Sequence, residues 1–262
     1  MANKLKYSFE EYINNPSGRG SAVMAVGREA IHEDFTRKLT TLESSKGKVT
    51  YKSIRSGDGK VYYIDFKIPS DSTDNFFYDT VVEFTLVPST NDTSIRNYNV
   101  RFFSNDPSFV YTYGYAFKTH GLLISGLEKK LPFRALNQKA NTRNPDNTVG
   151  YSKNIYFAYL IMVRDNLFDK QNLDRLSKVG NLSLIAKDIT SFDKHESERK
   201  LMDKKSREGL NNKIGPKHSS IVKGKNLVSD SSAPTTTRTS SKSKIISGSQ
   251  KQTKTTKRTK KV

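Results

Sequence analysis

The chain has 262 residues, with 45 Lys and Arg against 26 Asp and Glu, a net charge of +19 at pH 7, and neither Cys nor Trp; thiol nucleophiles, thiolate metal sites and disulfide frameworks are thereby excluded. The longest apolar run, Ile155 to Val163, is nine residues, short of the roughly 20 that a membrane-spanning helix needs, and Met1 to Lys6 leads into no apolar stretch of the kind a secretory leader carries. All 13 Tyr and 13 of the 14 Phe lie between Tyr7 and Phe168, and Phe192 is the last aromatic, so the material for a core ends near position 192.

One globular α+β domain is therefore expected over 1–192, large enough to bury roughly 70% of its unfolded-chain surface. A marginal helical linker over 193–208 and a disordered basic tail rich in Lys, Ser and Thr over 209–262 are expected to follow. At the start, Ser8-Phe9-Glu10-Glu11 has the form of a capping box and predicts a short helix, which Pro16, Gly18 and Gly20 break. Val23, Val26, Ala30, Ile31, Phe35, Leu39 and Leu42 then recur at three- and four-residue steps, one buried face of a second helix. Lys48 to Arg55 and Lys60 to Ile68 alternate and are rich in β-branched and aromatic residues, with Ser56-Gly57-Asp58-Gly59 supplying the positive-φ positions of a hairpin. Phe76 to Val87 and Arg96 to Phe103 read as a third and a fourth strand across the polar loop Pro88 to Ile95, giving a four-stranded, mainly antiparallel sheet flanked by helices.

Asn105-Asp106-Pro107 is a helix-start signal. Beyond it, Phe109, Tyr111, Tyr113, Tyr115 and Phe117 alternate as in a strand, while Phe109, Val110, Tyr113, Ala116 and Phe117 form a helical face; the cap decides for a helix. Leu127 to Asn137 reads as a further helix interrupted at Pro132. Ser152 to Phe168, apolar nearly all round at its start, predicts a helix at the centre of the core. Lys194 to Glu208 reads as a marginal helix.

The charge is concentrated at the C-terminal end. Gly209 to Val262 holds 13 Lys and Arg and one acid, Asp230, so this stretch carries +12 of the total and the first 208 residues carry +7. Lys242, Lys244, Lys251, Lys254, Lys257, Arg258, Lys260 and Lys261 are the candidate nucleic-acid-binding residues, spaced mainly by Ser, Thr and Gln with no acid among them. Such a segment neutralises phosphates through counterion release and reads no sequence; the alternative is a solubilising tail without a partner.

Chemistry in the first 208 residues has one candidate. A helix followed by strands bearing Asp65 and Glu83 resembles the layout of a restriction-type nuclease core, with Lys67 beside the acids. The pattern is broken, because the lysine follows Asp65 in Asp65-Phe66-Lys67 whereas Glu83 precedes Phe84-Thr85. His32, His120, His195 and His218 show no paired ligand spacing. Gly18-Arg19-Gly20 and Lys46-Gly47-Lys48 are turn chemistry, and no Gly-x-Ser-x-Gly elbow occurs. No catalytic, metal or cofactor residue is assigned. The aromatic stretch Phe102 to Phe117 suits a base-stacking platform, but that density fits a core or subunit interface better.

Three stretches together carry a resemblance: Ser8-Phe9-Glu10-Glu11-Tyr12-Ile13-Asn14-Asn15-Pro16, Phe102-Phe103-Ser104-Asn105-Asp106-Pro107-Ser108-Phe109, and Gly150-Tyr151 running into Ile155-Tyr156-Phe157-Ala158-Tyr159-Leu160. They resemble virion proteins from the head–tail neck region of large contractile-tailed bacteriophages of Gram-positive hosts, over roughly residues 7 to 168. The resemblance implies a non-enzymatic structural subunit of the tail-terminator or head-completion type. It further implies a homo-oligomeric ring, other neck, tail tube, sheath or head-completion proteins as partners, and DNA within reach of the basic tail. Its place would be the virion, and the host cytoplasm during assembly. The rival expectations are a soluble nucleic-acid-binding accessory protein and a degenerate metal-dependent nuclease using Asp65, Glu83 and Lys67.

Overall fold

A computed structural model of the chain describes residues 7–14, 27–88 and 93–213, with the side chains of 209–213 excepted. All of them belong to the first of two units, which divide between Gly215 and Pro216. The tail cations from Lys242 to Lys261 lie outside the described residues, as do Val23 and Val26 of the expected second helix.

The elements run α1 (Phe9–Asn14), α2 (Arg28–Lys46), β1 (Thr50–Arg55), β2 (Val61–Pro69), β3 (Phe77–Thr85), β4 (Asn99–Ser104), α3 (Gly114–Thr119), α4 (Phe133–Asn137), α5 (Lys153–Arg164), α6 (Lys170–Leu176), β5 (Ser177–Val179), α7 (Leu182–Ala186) and α8 (Phe192–Lys213). The capping box closes both ways: the Ser8 amide donates to Glu11 Oε2 at 2.7 Å and the Glu11 amide to Ser8 Oγ at 3.2 Å. In the hairpin, Gly59 takes φ 66° and its amide donates to the Ser56 carbonyl at 3.0 Å, a conformation that glycine adopts without strain.

The sheet has the order β4-β3-β2-β1-β5 and is mixed. Its first four strands pair antiparallel, from Thr50 opposite Lys67, Pro69 opposite Phe77 and Thr80 opposite Ser104. A short fifth strand, β5, adds to the four expected and runs parallel to β1 with Ser53 opposite Ser177. Three residues are too few for an alternating pattern, and this strand exists because β1 offers an edge. At the other edge, the Val100 amide donates to the Tyr7 carbonyl at 2.8 Å and the Phe102 amide to the Leu122 carbonyl at 2.7 Å, so β4 is covered on its outer side.

Alternation divides the sheet into two faces. Tyr62, Ile64, Phe66 and Ile68 of β2, with Val82, Phe84, Val100 and Phe102, are buried on the first face, beneath α1, α2 and α5. The fifth helix is the central one, as its all-round apolarity requires: Ile155, Tyr156, Phe157, Ala158, Leu160, Ile161 and Met162 are buried. It ends at Arg164, earlier than expected, and Asn166 at φ 52° turns the chain so that Leu167 and Phe168 still reach the core. The second face lies against the 3₁₀ turn Ser125–Lys130, α7 and the start of α8.

Four further boundaries differ from the sequence reading. The fourth strand starts at Asn99, because Ser94 accepts from the Arg96 amide and closes a 3₁₀ turn over Ile95–Asn97. The helix after Asp106 opens with a π-helical turn over Phe109–Tyr113, after the Asp106 carboxylate accepts from the Phe109 amide at 3.4 Å. Leu127 to Asn137 is a 3₁₀ turn and a short helix separated at Pro132. The marginal helix is longer than expected and begins inside the core, with Phe192 and His195 buried.

Candidate functional site

The register of β2 against β3 decides the fate of the Asp65, Lys67 and Glu83 constellation. Asp65 faces Val81 and Lys67 faces Asp79, while Glu83 lies opposite Tyr63 and Arg101. Asp79 therefore takes the place expected for Glu83, whose carboxylate instead lies 3.4 Å from Arg101 Nη1. Asp65, Glu83 and Lys67 are therefore not gathered into one cluster: Lys67 meets Asp79, and Glu83 meets Arg101. Pairing depends on the length of the β2–β3 turn, closed by the Ser70 amide on the Phe76 carbonyl at 2.8 Å, and that closure was not legible from residue types.

The cluster that does form on the second face holds Lys52 of β1, Asp65 and Lys67 of β2, Asp79 of β3 and Asp188 after α7. Lys67 bonds the Asp79 carboxylate and lies 3.9 Å from Asp65 Oδ2. Lys52 lies 3.7 Å from the same Asp65 oxygen and 2.5 Å from Asp188. Asn105 clamps Asp79: its Oδ1 accepts from the Asp79 amide at 2.8 Å and its Nδ2 donates to Asp79 Oδ2 at 3.0 Å. Asp65 is completely buried, and both of its carboxylate oxygens accept no hydrogen bond.

Burial, and then the charge of Asp79, push the Asp65 carboxyl up to about 6, against the pull of Lys67 and Lys52. Burial lowers Lys67, but the carboxylates of Asp65 and Asp79 outweigh it and leave the ammonium above its ordinary value. The hydrogen bond from Lys52 holds Asp188 below the usual carboxylate range. Among the described residues no group of three or more His, Asp or Glu is placed to hold a metal ion. The five charges form an ion-pair network that ties the segment carrying Asp188 to the centre of the sheet.

The raised Asp65 value fixes a pH signature. A folded carboxyl at about 6 against an ordinary 3.8 favours folding below the ordinary value and loses that contribution as pH rises through 6. Relative to wild type, Asp65→Asn is expected to gain about 2 kcal/mol between pH 4 and pH 8. Urea unfolding of both proteins at the two pH values measures it, and a pH-independent difference counts against the assignment.

The three stretches that carry the resemblance meet on the first face. Phe9 lies 5.2 Å from Phe102 and 5.4 Å from Tyr159, ring to ring, and Tyr12 lies 4.7 Å from Phe102. The Tyr12 hydroxyl donates to the Gly150 carbonyl at 2.8 Å and the Tyr151 hydroxyl to the Ile13 carbonyl at 2.6 Å. Among the aromatic rings of Phe102 to Phe117, Phe102, Phe103, Phe109, Tyr113 and Phe117 are buried, and Tyr111 is the one more than half exposed, at 52%; the stretch is core, and its buried rings offer no stacking platform. A Cβ on Gly150 would come within 2.7 Å of the Tyr113 ring. Gly150→Ala is accordingly expected to lower the unfolding free energy by about 1–3 kcal/mol in a urea titration.

Two other features frame the surface. A cleft of about 620 Å³ lies over Phe35, Tyr151 and Phe157, and Lys38, Lys46 and Lys153 at its rim are paired with Asp34, Asp74 and Asp71 respectively. Among the described residues no helix is long and apolar enough to cross a membrane. Comparison of the chain with protein-family models, with curated proteins and with solved structures finds no match.

Proposed function

We propose that this chain is a non-enzymatic virion structural subunit, a ring-forming component of a phage neck or tail terminator, whose basic C-terminal tail contacts DNA without sequence choice. One observation carries the reading: the three stretches that resemble neck proteins converge on a single aromatic core, so their residues serve packing in this chain rather than chemistry. A packed scaffold is what an assembly subunit needs. The network of Asp65, Lys67, Asp79, Lys52 and Asp188 fits the same reading, because each carboxylate in it is met by a lysine.

The tail has a target in this setting. Its 13 Lys and Arg against one acid are suited to the phosphates of DNA passing through a neck, and such contacts position the chain without selecting bases. Identical head-to-tail contacts close a ring of such subunits. Mass photometry and electron microscopy of the purified full chain test the ring. A closed oligomer of one defined mass is the expected result, and a monomer at every concentration together with its absence from particles refutes the reading.

A further inference from the structure

The last turns of α8 carry charge that the fold does not use. Phe192 and His195 bury the start of the helix against the sheet domain, with His195 Nε2 2.8 Å from the Phe77 carbonyl. Thr73 donates to Asp203 at 2.7 Å. Beyond Asp203 every described side chain of the helix, Lys204 to Glu208, is exposed, and so is Lys200 before it. Arg199 is held by Glu196 and Asp203 at 3.0 and 3.1 Å. Lys200, Lys205 and Arg207 make no ion pair with a described residue, and Lys204 reaches Glu208 only across 3.8 Å of open surface, a pair of little strength.

These cations are ordered by the helix itself. At 3.6 residues per turn, Lys200, Lys204 and Arg207 fall within an arc of about 60°, about 6 and 4.5 Å apart along the axis. A duplex presents one phosphate for roughly every 3.4 Å of axis on each strand, so a rigid row of this length spans about three phosphates. Lys205 projects to the side of the row. The helix runs on to Lys213, toward the tail.

We infer that the exposed turns of α8, through Lys200, Lys204, Lys205 and Arg207, are a preordered phosphate-binding element for duplex nucleic acid. This rests on the DNA contact proposed for the tail and moves its beginning from Gly209 back to Lys200. The order of the helix matters, because its backbone is already fixed and only rotamer freedom is lost on binding, whereas a flexible segment loses backbone freedom as well. The same turns fit a lipid surface poorly. Lying on a membrane requires an apolar stripe, and here the exposed apolar side chains Leu201 and Met202 are adjacent rather than repeated.

The test uses the full chain, a labelled 20-base-pair duplex of arbitrary sequence, and two variants. One replaces Lys200, Lys204, Lys205 and Arg207 by Gln, which preserves helix propensity; the other replaces the eight tail residues from Lys242 to Lys261 by Gln. The helix variant is expected to reduce the slope of log affinity against log salt by about 3 to 4, since each lost phosphate contact removes about 0.9. An unchanged slope in the helix variant, beside a reduced one in the tail variant, overturns this inference and leaves the tail reading standing. No binding by the wild-type chain overturns both. Equal binding to poly-glutamate, or to vesicles of phosphatidylserine at matched charge, overturns the assignment to nucleic acid.

Discussion

Phe9→Ala is expected to lower the unfolding free energy by about 3–5 kcal/mol, a large share of the 5–15 kcal/mol that a domain of this kind possesses. Phe9 is fully buried. Its ring stands 5.2 to 6.4 Å from those of Tyr12, Phe84, Phe102, Tyr159 and Phe168, so it is the point where α1, β3, β4 and α5 meet. Neighbours anchored in four separate elements cannot all close over the cavity, and the full truncation cost is felt. Phe133→Ala supplies the control: that ring is 82% exposed, and its loss is expected to change stability by less than about 0.5 kcal/mol. Urea titrations of the two variants decide the matter, and a Phe9→Ala loss below about 1 kcal/mol would mean that α1 is peripheral.

Neutralising the tail is expected to have the largest effect on binding. Replacing Lys242, Lys244, Lys251, Lys254, Lys257, Arg258, Lys260 and Lys261 by Gln removes eight charges, and at about 0.9 per phosphate contact the salt slope falls by roughly 7 if all eight engage. Between 50 and 200 mM salt the wild-type chain is then expected to lose affinity by a factor on the order of a thousand or more, and the variant only a small fraction of that. Fluorescence anisotropy with duplex DNA across that salt range measures both. Folding is a separate axis, because the eight residues lie far beyond the last aromatic; unchanged urea unfolding of the variant is expected alongside the lost affinity.

What could be read from residues and what could not divide along physical lines. Ser8 and Glu11 announce α1 because both partners of the capping box lie within four positions. Ser56 to Gly59 announces the hairpin because the turn and both alternating strands are local. The all-round apolarity from Ile155 to Met162 places α5 at the centre, since no other position accommodates such a helix. Residues Ser177 to Val179 carry no such signal; their strand state comes from β1, more than a hundred positions earlier in the chain.

The charged network shows the same limit at the level of the site. Asp65 and Lys67 stand out by type, but their partners are set by the length of a turn and by distant chain. Asp79 enters through the register, Lys52 through the hairpin, and Asp188 from beyond β5. Glu83 was the natural guess because it sits on the neighbouring strand, and it lies one pair of residues too far along. The aromatic stretch from Phe102 to Phe117, expected as core or subunit interface, packs its rings Phe102, Phe103, Phe109, Tyr113 and Phe117 into the core, because five large rings need more shelter than a surface platform gives. The exposed row on α8 was missed for the opposite reason: a polar helix with scattered leucines looks marginal until its first turn is seen to be anchored by Phe192 and His195.

The proposed assembly role is tested most directly by electron microscopy of purified virions in which this chain bears a tag. The tag is expected in a ring at the junction between head and tail, at one stoichiometry in every particle. Particles that are complete and infectious yet carry no tag would contradict it.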